Sequence, residues 1–264
     1  MTEHNTGKTS GLIAPACVDE QGRLSGFVHS FESGSAVDGP GMRFVVFVSG
    51  CQFRCLYCHN PDTIKMHNGN IMTVDHVLEE IAEFASFLRF AGGLTISGGE
   101  PLMQADFVKE IFYLAKHDYH LHTALDTQGF LASQLTDEWF DDIDLVLLDI
   151  KHIDPEKYLA LTSKPLQPTL DFARRLSDMG KKIWIRYVLV PGYTDAVEDV
   201  EKLADFISTL KSVERIEVLP FHKMGEHKWQ ELGFTYHLKD VLAPSPQQVD
   251  RVINQFKARG LTAC

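Results

Sequence analysis

Arg43-Phe44-Val45-Val46-Phe47-Val48-Ser49 runs directly into Gly50-Cys51-Gln52-Phe53-Arg54-Cys55-Leu56-Tyr57-Cys58-His59-Asn60. The first seven residues are β-branched and aromatic almost without interruption, as expected of a parallel strand covered by helices. The loop leaving its C-terminal end carries three of the five cysteines in the chain. Three thiolates on one short loop hold three irons of a cubane cluster and leave the fourth iron without a protein ligand. A cluster that only carries electrons normally takes four cysteines. A site one ligand short is a site where a small molecule binds metal.

Outward from this stretch, similar runs predict strands at 94–97, 120–126, 144–150, 182–190 and 215–220. Helices are predicted between them. One covers 74–90 behind Thr73 as N-cap, and one covers 102–117 behind Pro101, which suits a first helical turn. Weaker patterns cover 131–140, 169–179 and 196–210, and a last helix at 245–259 stops at Gly260. Six βα units on one parallel sheet make either an open doubly wound sheet or a barrel, whole or partial. The chemically unusual residues all follow strand ends: the cysteine loop, Ser97-Gly98-Gly99-Glu100, Asp126, Asp149 with Lys151, Pro191-Gly192, and His222. Loops at that edge carry the site in parallel α/β folds, so six separate segments point at one rim.

Composition narrows the class. A chain of 264 residues with 44% hydrophobic content builds a large single core, and nothing in it marks an internal linker or repeat. We expect a loose N-terminal extension at 1–22 and one α/β domain at 23–264. The net charge of −11 argues against a nucleic-acid or membrane-surface binder. No apolar run reaches the ~18 residues of a membrane span, and the N-terminus has no signal-peptide core. A cytoplasmic location follows as an expectation, and there a cysteine cluster indicates metal before disulfides. Cys17 and Cys264 read as incidental thiols.

The competing reading of the cysteine loop is structural zinc, with His59 or a distant residue as fourth ligand. Zinc sites usually show two paired halves, whereas a single C-x3-C-x2-C stands here. Gly98-Gly99 reads either as a tight turn or as backbone open to close approach, with Glu100 able to accept from an ammonium. Asp126-Thr127 and Asp149-Ile150-Lys151 end adjacent strands. Carboxylates just past buried runs sit partly desolvated at a rim and need a cation, so they are more than surface ion pairs.

The spacing Cys51-x3-Cys55-x2-Cys58, with Tyr57 before the last cysteine, resembles the signature of the radical S-adenosylmethionine (SAM) superfamily. The six units agree with that family's partial (β/α)6 barrel. The resemblance implies that the methionine amino and carboxylate groups of SAM chelate the open iron of a 4Fe–4S cluster. Reductive cleavage then gives a 5′-deoxyadenosyl radical that abstracts hydrogen from a substrate. It further implies SAM contacts from Tyr57, Cys58, His59, Gly99, Glu100, Asp126, Asp149, Ile150, Lys151 and His222. A monovalent cation is implied at Asp126, Thr127 and Asp149.

Upstream, Phe27–Ser33 and Val37-Asp38-Gly39-Pro40-Gly41-Met42-Arg43 resemble the start of glycyl-radical-enzyme activases. So do Tyr57-Cys58-His59-Asn60-Pro61, Leu125-Asp126-Thr127 and Trp184-Ile185-Arg186-Tyr187. As plain structure, Asp-Gly-Pro-Gly is an ordinary turn before a strand. The resemblance places it beside a substrate peptide, with Asp38 as the contact. Five cysteines leave no room for the eight-cysteine ferredoxin-like module that many such activases insert. The implied enzyme is a monomer that makes a glycyl radical on pyruvate formate-lyase (formate C-acetyltransferase) under anaerobic conditions. The implied electron donor is flavodoxin or ferredoxin. The alternatives are an activase of another glycyl radical enzyme and a non-catalytic zinc protein.

Overall fold

The computed structural model describes residues 13–264. Its strands are β1 (Cys17–Val18), β2 (Leu24–Ser35), β3 (Met42–Val48), β4 (Asn70–Thr73), β5 (Gly92–Gly98), β6 (His122–Thr127), β7 (Leu145–Asp149), β8 (Lys182–Leu189) and β9 (Val213–Pro220). Helices are α1 (Val74–Ala91), α2 (Ala105–His117), α3 (Pro155–Thr162), α4 (Gln167–Asp178), α5 (Val197–Ile207), α6 (Glu226–Glu231) and α7 (Pro246–Lys257).

The nine strands described form one sheet in the order β1-β2-β3-β5-β6-β7-β8-β9, with β4 on β2. From β3 to β9 every neighbouring pair is parallel. These are the six strands expected from the sequence. β9 does not pair back onto β2 or β3, so the barrel is partial and open. On its free edge β9 is covered by the C-terminal segment: Ile216 N donates to Thr262 O at 2.8 Å, and Val218 N to Cys264 O at 2.8 Å. Main-chain groups on an exposed edge would otherwise invite pairing with another chain.

Helix placement follows the residue pattern. α1 buries Val74, Val77, Leu78, Ile81, Ala85 and Leu88, one stripe at three- and four-residue steps, and Thr73 accepts from His76 N as its cap. Ser245 and Gln248 close a capping box ahead of Pro246 in α7. These stripes and the outer faces of the strands form the main core. A smaller cluster of Ala124, Leu145, Leu147 and Trp184 fills the floor of the barrel interior.

Three expectations change. Residues 131–140 form two 3-10 turns, Ala132–Gln134 and Asp137–Phe140, because Leu135 and Thr136 between them are both extended and break any continuous helix. β2, α3 and α6 were not foreseen. Within the expected extension, residues 17–18 pair antiparallel with Leu24 and Ser25, and Ala14 N donates to Met103 O, so 13–22 is tied to the sheet. Residues 1–12 of that extension lie outside the described residues.

Candidate active site

A cavity of about 350 Å³ opens at the C-terminal ends of the parallel strands. Cys51, Cys55 and Cys58 line it together with Gly99, Asp126, Thr127, Asp149, Lys151 and Asp38. Four of the six segments expected at the rim thus share one space, whereas Gly192 lines a separate pocket with Leu56 and Lys157, and neither Pro191 nor His222 lines this cavity.

The cysteine loop is pinned by main-chain bonds. Gly50 N and Cys51 N donate to Thr63 O and Ile64 O at 2.7 and 3.0 Å. Arg54 N and Leu56 N donate to Thr162 O and Leu161 O at the end of α3. Burial pushes the Cys51 thiol up to about 12, raises that of Cys58, and raises that of Cys55 furthest. Without a cation the three are neutral thiols. Metal ions would hold them as thiolates, the form that ligates.

Gly98 and Gly99 are required by a close approach, but to protein. A Cβ on Gly99 would lie 2.2 Å from Gly50 O, and one on Gly98 2.5 Å from Val48 O. Gly99 N and Glu100 N donate back to Val48 O and Gly50 O, both at 2.8 Å. The glycine loop is thereby stitched to the cysteine loop.

Glu100 is fully buried and its carboxylate does not open onto the cavity. It accepts from Thr127 Oγ1 at 2.6 Å, Gln128 N at 3.1 Å and Leu102 N at 3.1 Å. Burial pushes it up to about 7 against these three bonds. Its place is behind the wall, bracing the residues that do face the cavity. Thr127 has its hydroxyl committed to Glu100 and to Gly129 N. Ile150 is fully buried in the main core, which leaves only its backbone near the rim.

Asp126 accepts from Ser97 Oγ at 2.6 Å and from Arg186 at 3.1 Å through one oxygen, while its Oδ1 is buried without a partner. Burial raises its pKa, opposed by Arg186 and reinforced by Asp149. Lys151 donates to Asp149 at 2.9 Å and lies 5.6 Å from the centre of the Tyr57 ring. Tyr57 Oη and Gln128 Oε1 are also buried without partners. Three orphaned polar atoms on one cavity wall fit a polar ligand that completes them.

His59 lines the cavity, and its Nε2 donates to His222 O at 3.0 Å, with the rings stacked at 4.1 Å. His222 itself is exposed beside the mouth. Asp38 lies at the rim, accepting from Ser35 Oγ at 2.6 Å, with Arg186 3.5 Å away.

Arg186 and Gln128 were not foreseen as site residues. Arg186 is the hub of the acidic rim, reaching Asp126, Asp38 and Glu217. Its signal was a lone arginine inside an apolar strand. The side chain of Gln128 sits between Gly99 O and Cys51 Sγ, at 3.5 and 3.9 Å, and nothing local marks it.

Residues 45–207 match the radical SAM superfamily. A pyruvate formate-lyase-activating enzyme of Staphylococcus aureus is 45% identical over 245 residues, spanning 90% of this chain and 97% of that protein. Among solved structures, a domain of a pyruvate-formate lyase-activating enzyme from Bacteroides vulgatus superposes with a TM-score of 0.54 at 24% identity, over 66% of this chain and 98% of its own. A radical SAM methyltransferase from Sphaerobacter thermophilus gives 0.63 at 15% identity, over 95% and 75%. At these identities the two structures speak for the fold alone. The superfamily match removes the structural-zinc alternative. The chain belongs to the radical SAM superfamily and, within it, to the family of these activating enzymes.

Proposed function

We propose that this protein activates pyruvate formate-lyase (formate C-acetyltransferase) by generating a glycyl radical on it under anaerobic conditions. One observation carries this reading: Cys51, Cys55 and Cys58 share a cavity with the orphaned atoms of Tyr57, Asp126 and Gln128. The Staphylococcus aureus relative, a pyruvate formate-lyase-activating enzyme, supplies the partner.

In this reading each of Cys51, Cys55 and Cys58 holds one iron of a 4Fe–4S cluster. When bound, the cluster would supply the electron for reductive cleavage of SAM, the source of the radical that would take hydrogen from a glycine Cα. The protein's own part is binding and orientation. The Gly99 backbone and the Lys151–Asp149 pair would hold the amino-acid end of SAM. Asp126, Tyr57 and His59 line the remaining wall, with His222 behind His59 and Ile150 contributing backbone only. Glu100 holds Thr127 and Gln128 in place. A monovalent cation near the SAM carboxylate would draw on Asp126 and Asp149, with no hydroxyl from Thr127. Asp38, held by Ser35 and Arg186 at the rim, meets the peptide. Glycine suits this entry because no side chain obstructs the Cα–H.

The acting unit is the domain at 23–264, a monomer reduced by flavodoxin or ferredoxin and working in the cytoplasm. Purified protein, SAM, reductant and pyruvate formate-lyase, mixed without oxygen, should give a glycyl radical signal in electron paramagnetic resonance. A signal on a different glycyl radical enzyme, with none on pyruvate formate-lyase, would refute the assignment of partner.

A further inference from the structure

The segment after β9 turns back across the barrel mouth and lands on the residues that follow the third cysteine. Trp229 Nε1 donates to Cys58 O at 2.8 Å, across 171 residues of sequence. Lys228 Nζ donates to Asn60 Oδ1 at 2.9 Å and pairs with Asp62 at 3.0 Å. Gly225 lies so close that a Cβ on it would be 2.5 Å from His59 O. His59 in turn donates to His222 O. Five contacts thus join 222–229 to 58–62.

The indole is fixed independently of its hydrogen bond. Trp229 is buried with Tyr57, Leu161 and Phe221, and Tyr236 lies 5.5 Å from its ring centre. The N–H therefore meets Cys58 O from a ring already held by packing. The carbonyls of the other two cysteines have no such distant donor. Cys51 O accepts from Arg54, which is exposed and three residues away, and Cys55 O accepts from Cys58 N at 3.1 Å. Of the three cysteine carbonyls, Cys58 O alone accepts from a distant element, and both its N–H and its carbonyl are engaged.

We propose that Trp229 is a positioning residue for Cys58, and that 222–229 is a strap fixing the direction of this ligand and slowing metal loss from its side. The inference rests on the reading of Cys58 as a cluster ligand. Outer hydrogen-bond partners orient metal ligands, and losing one weakens the site.

Trp229→Phe keeps the ring and removes the donor. With a reconstituted cluster, this variant should lose iron to an external chelator roughly ten-fold faster than the parent, the lower end of what such partners contribute. Its reduced, SAM-bound cluster should show shifted g-values in electron paramagnetic resonance, which a packing defect alone would not move. Trp184→Phe, on the barrel floor, should match the parent. Lys228→Met removes the second tether without touching the core, and should raise the chelation rate by a smaller factor. If Trp229→Phe folds poorly, the Lys228→Met rate decides the matter. Parent-like chelation and spectra in the variants would overturn the strap. A parent protein that takes up no cluster at all would instead overturn the reading of the cysteines beneath it.

Discussion

The two ends of the barrel interior treat buried polarity in opposite ways. At the floor, Arg43 is completely buried, yet its guanidinium donates to Thr95 Oγ1 and to the carbonyls of Leu94, His122 and Pro40. Ala124, Leu145, Leu147 and Trp184 complete an apolar plug. At the rim, Tyr57 Oη, Asp126 Oδ1 and Gln128 Oε1 are just as hidden and have no partner. Unpaired buried polar groups cost free energy that a satisfied network avoids. The Arg43 network holds the fold, although His122 Nδ1 beside it is also buried without a partner, whereas the rim groups are left open to a ligand.

The contrast is breakable by substitution. The largest effect belongs to the rim's metal chemistry. Cys51→Ala, Cys55→Ala or Cys58→Ala should each abolish the visible absorption of a reconstituted cluster, while Cys17→Ala and Cys264→Ala leave it intact. Next comes the floor. Arg43→Met strands buried carbonyls and should cost about 3–5 kcal/mol, read as a lower urea midpoint of the cluster-free protein.

Glu100 sits between the two regimes, buried and fully bonded but with its carboxyl pushed up to about 7. A carboxyl raised above its unfolded value stabilises the fold at low pH, and this contribution is lost as pH rises through the folded value. Glu100→Gln has no such titration. The stability advantage of the parent over this variant should therefore shrink between about pH 5 and about pH 8 in thermal melts. A difference independent of pH would show that Glu100 does not titrate in this window.

The smallest change in stability is expected at Asp126, with the same pH trend. Burial raises its pKa, so its ionised form is disfavoured in the fold. By the same linkage, Asp126→Asn should leave the cluster-free protein at least as stable at about pH 8, and relatively less stable at about pH 4. SAM affinity of the reconstituted variant should nevertheless fall roughly ten-fold or more, since a charged hydrogen bond contributes ~1.5–3 kcal/mol. A large loss of stability at the higher pH would move Asp126 to the structural side of the comparison.

The six parallel strands were legible because each is a near-continuous apolar run, and the first, second, last and α4 and α5 helices because caps and stripes mark them. β2 was not, since its pairing shifts register between Val28 and Ser30 and again between Glu32 and Ser35. Irregular pairing erases the two-residue alternation that announces a half-buried strand. α3 did carry a signal in Asp154-Pro155, where Asp154 caps Glu156 N and Lys157 N. Its eight residues are too few for a periodic stripe to stand out.

Local sequence alone specified a candidate ligand set and its address: three cysteines at fixed spacing on a loop leaving a buried strand, with polar residues at the ends of the strands that follow. Those features are local, and local sterics and hydrophobic periodicity suffice to read them. Which polar groups meet was settled by the fold in three dimensions. It turned Glu100 away from the cavity toward Thr127 and Gln128, brought Arg186 from β8 onto Asp126 and Asp38, and laid Trp229 on Cys58. Such pairings join residues from 27 to 171 positions apart. The sheet order and the open barrel set them, and no local pattern encodes them.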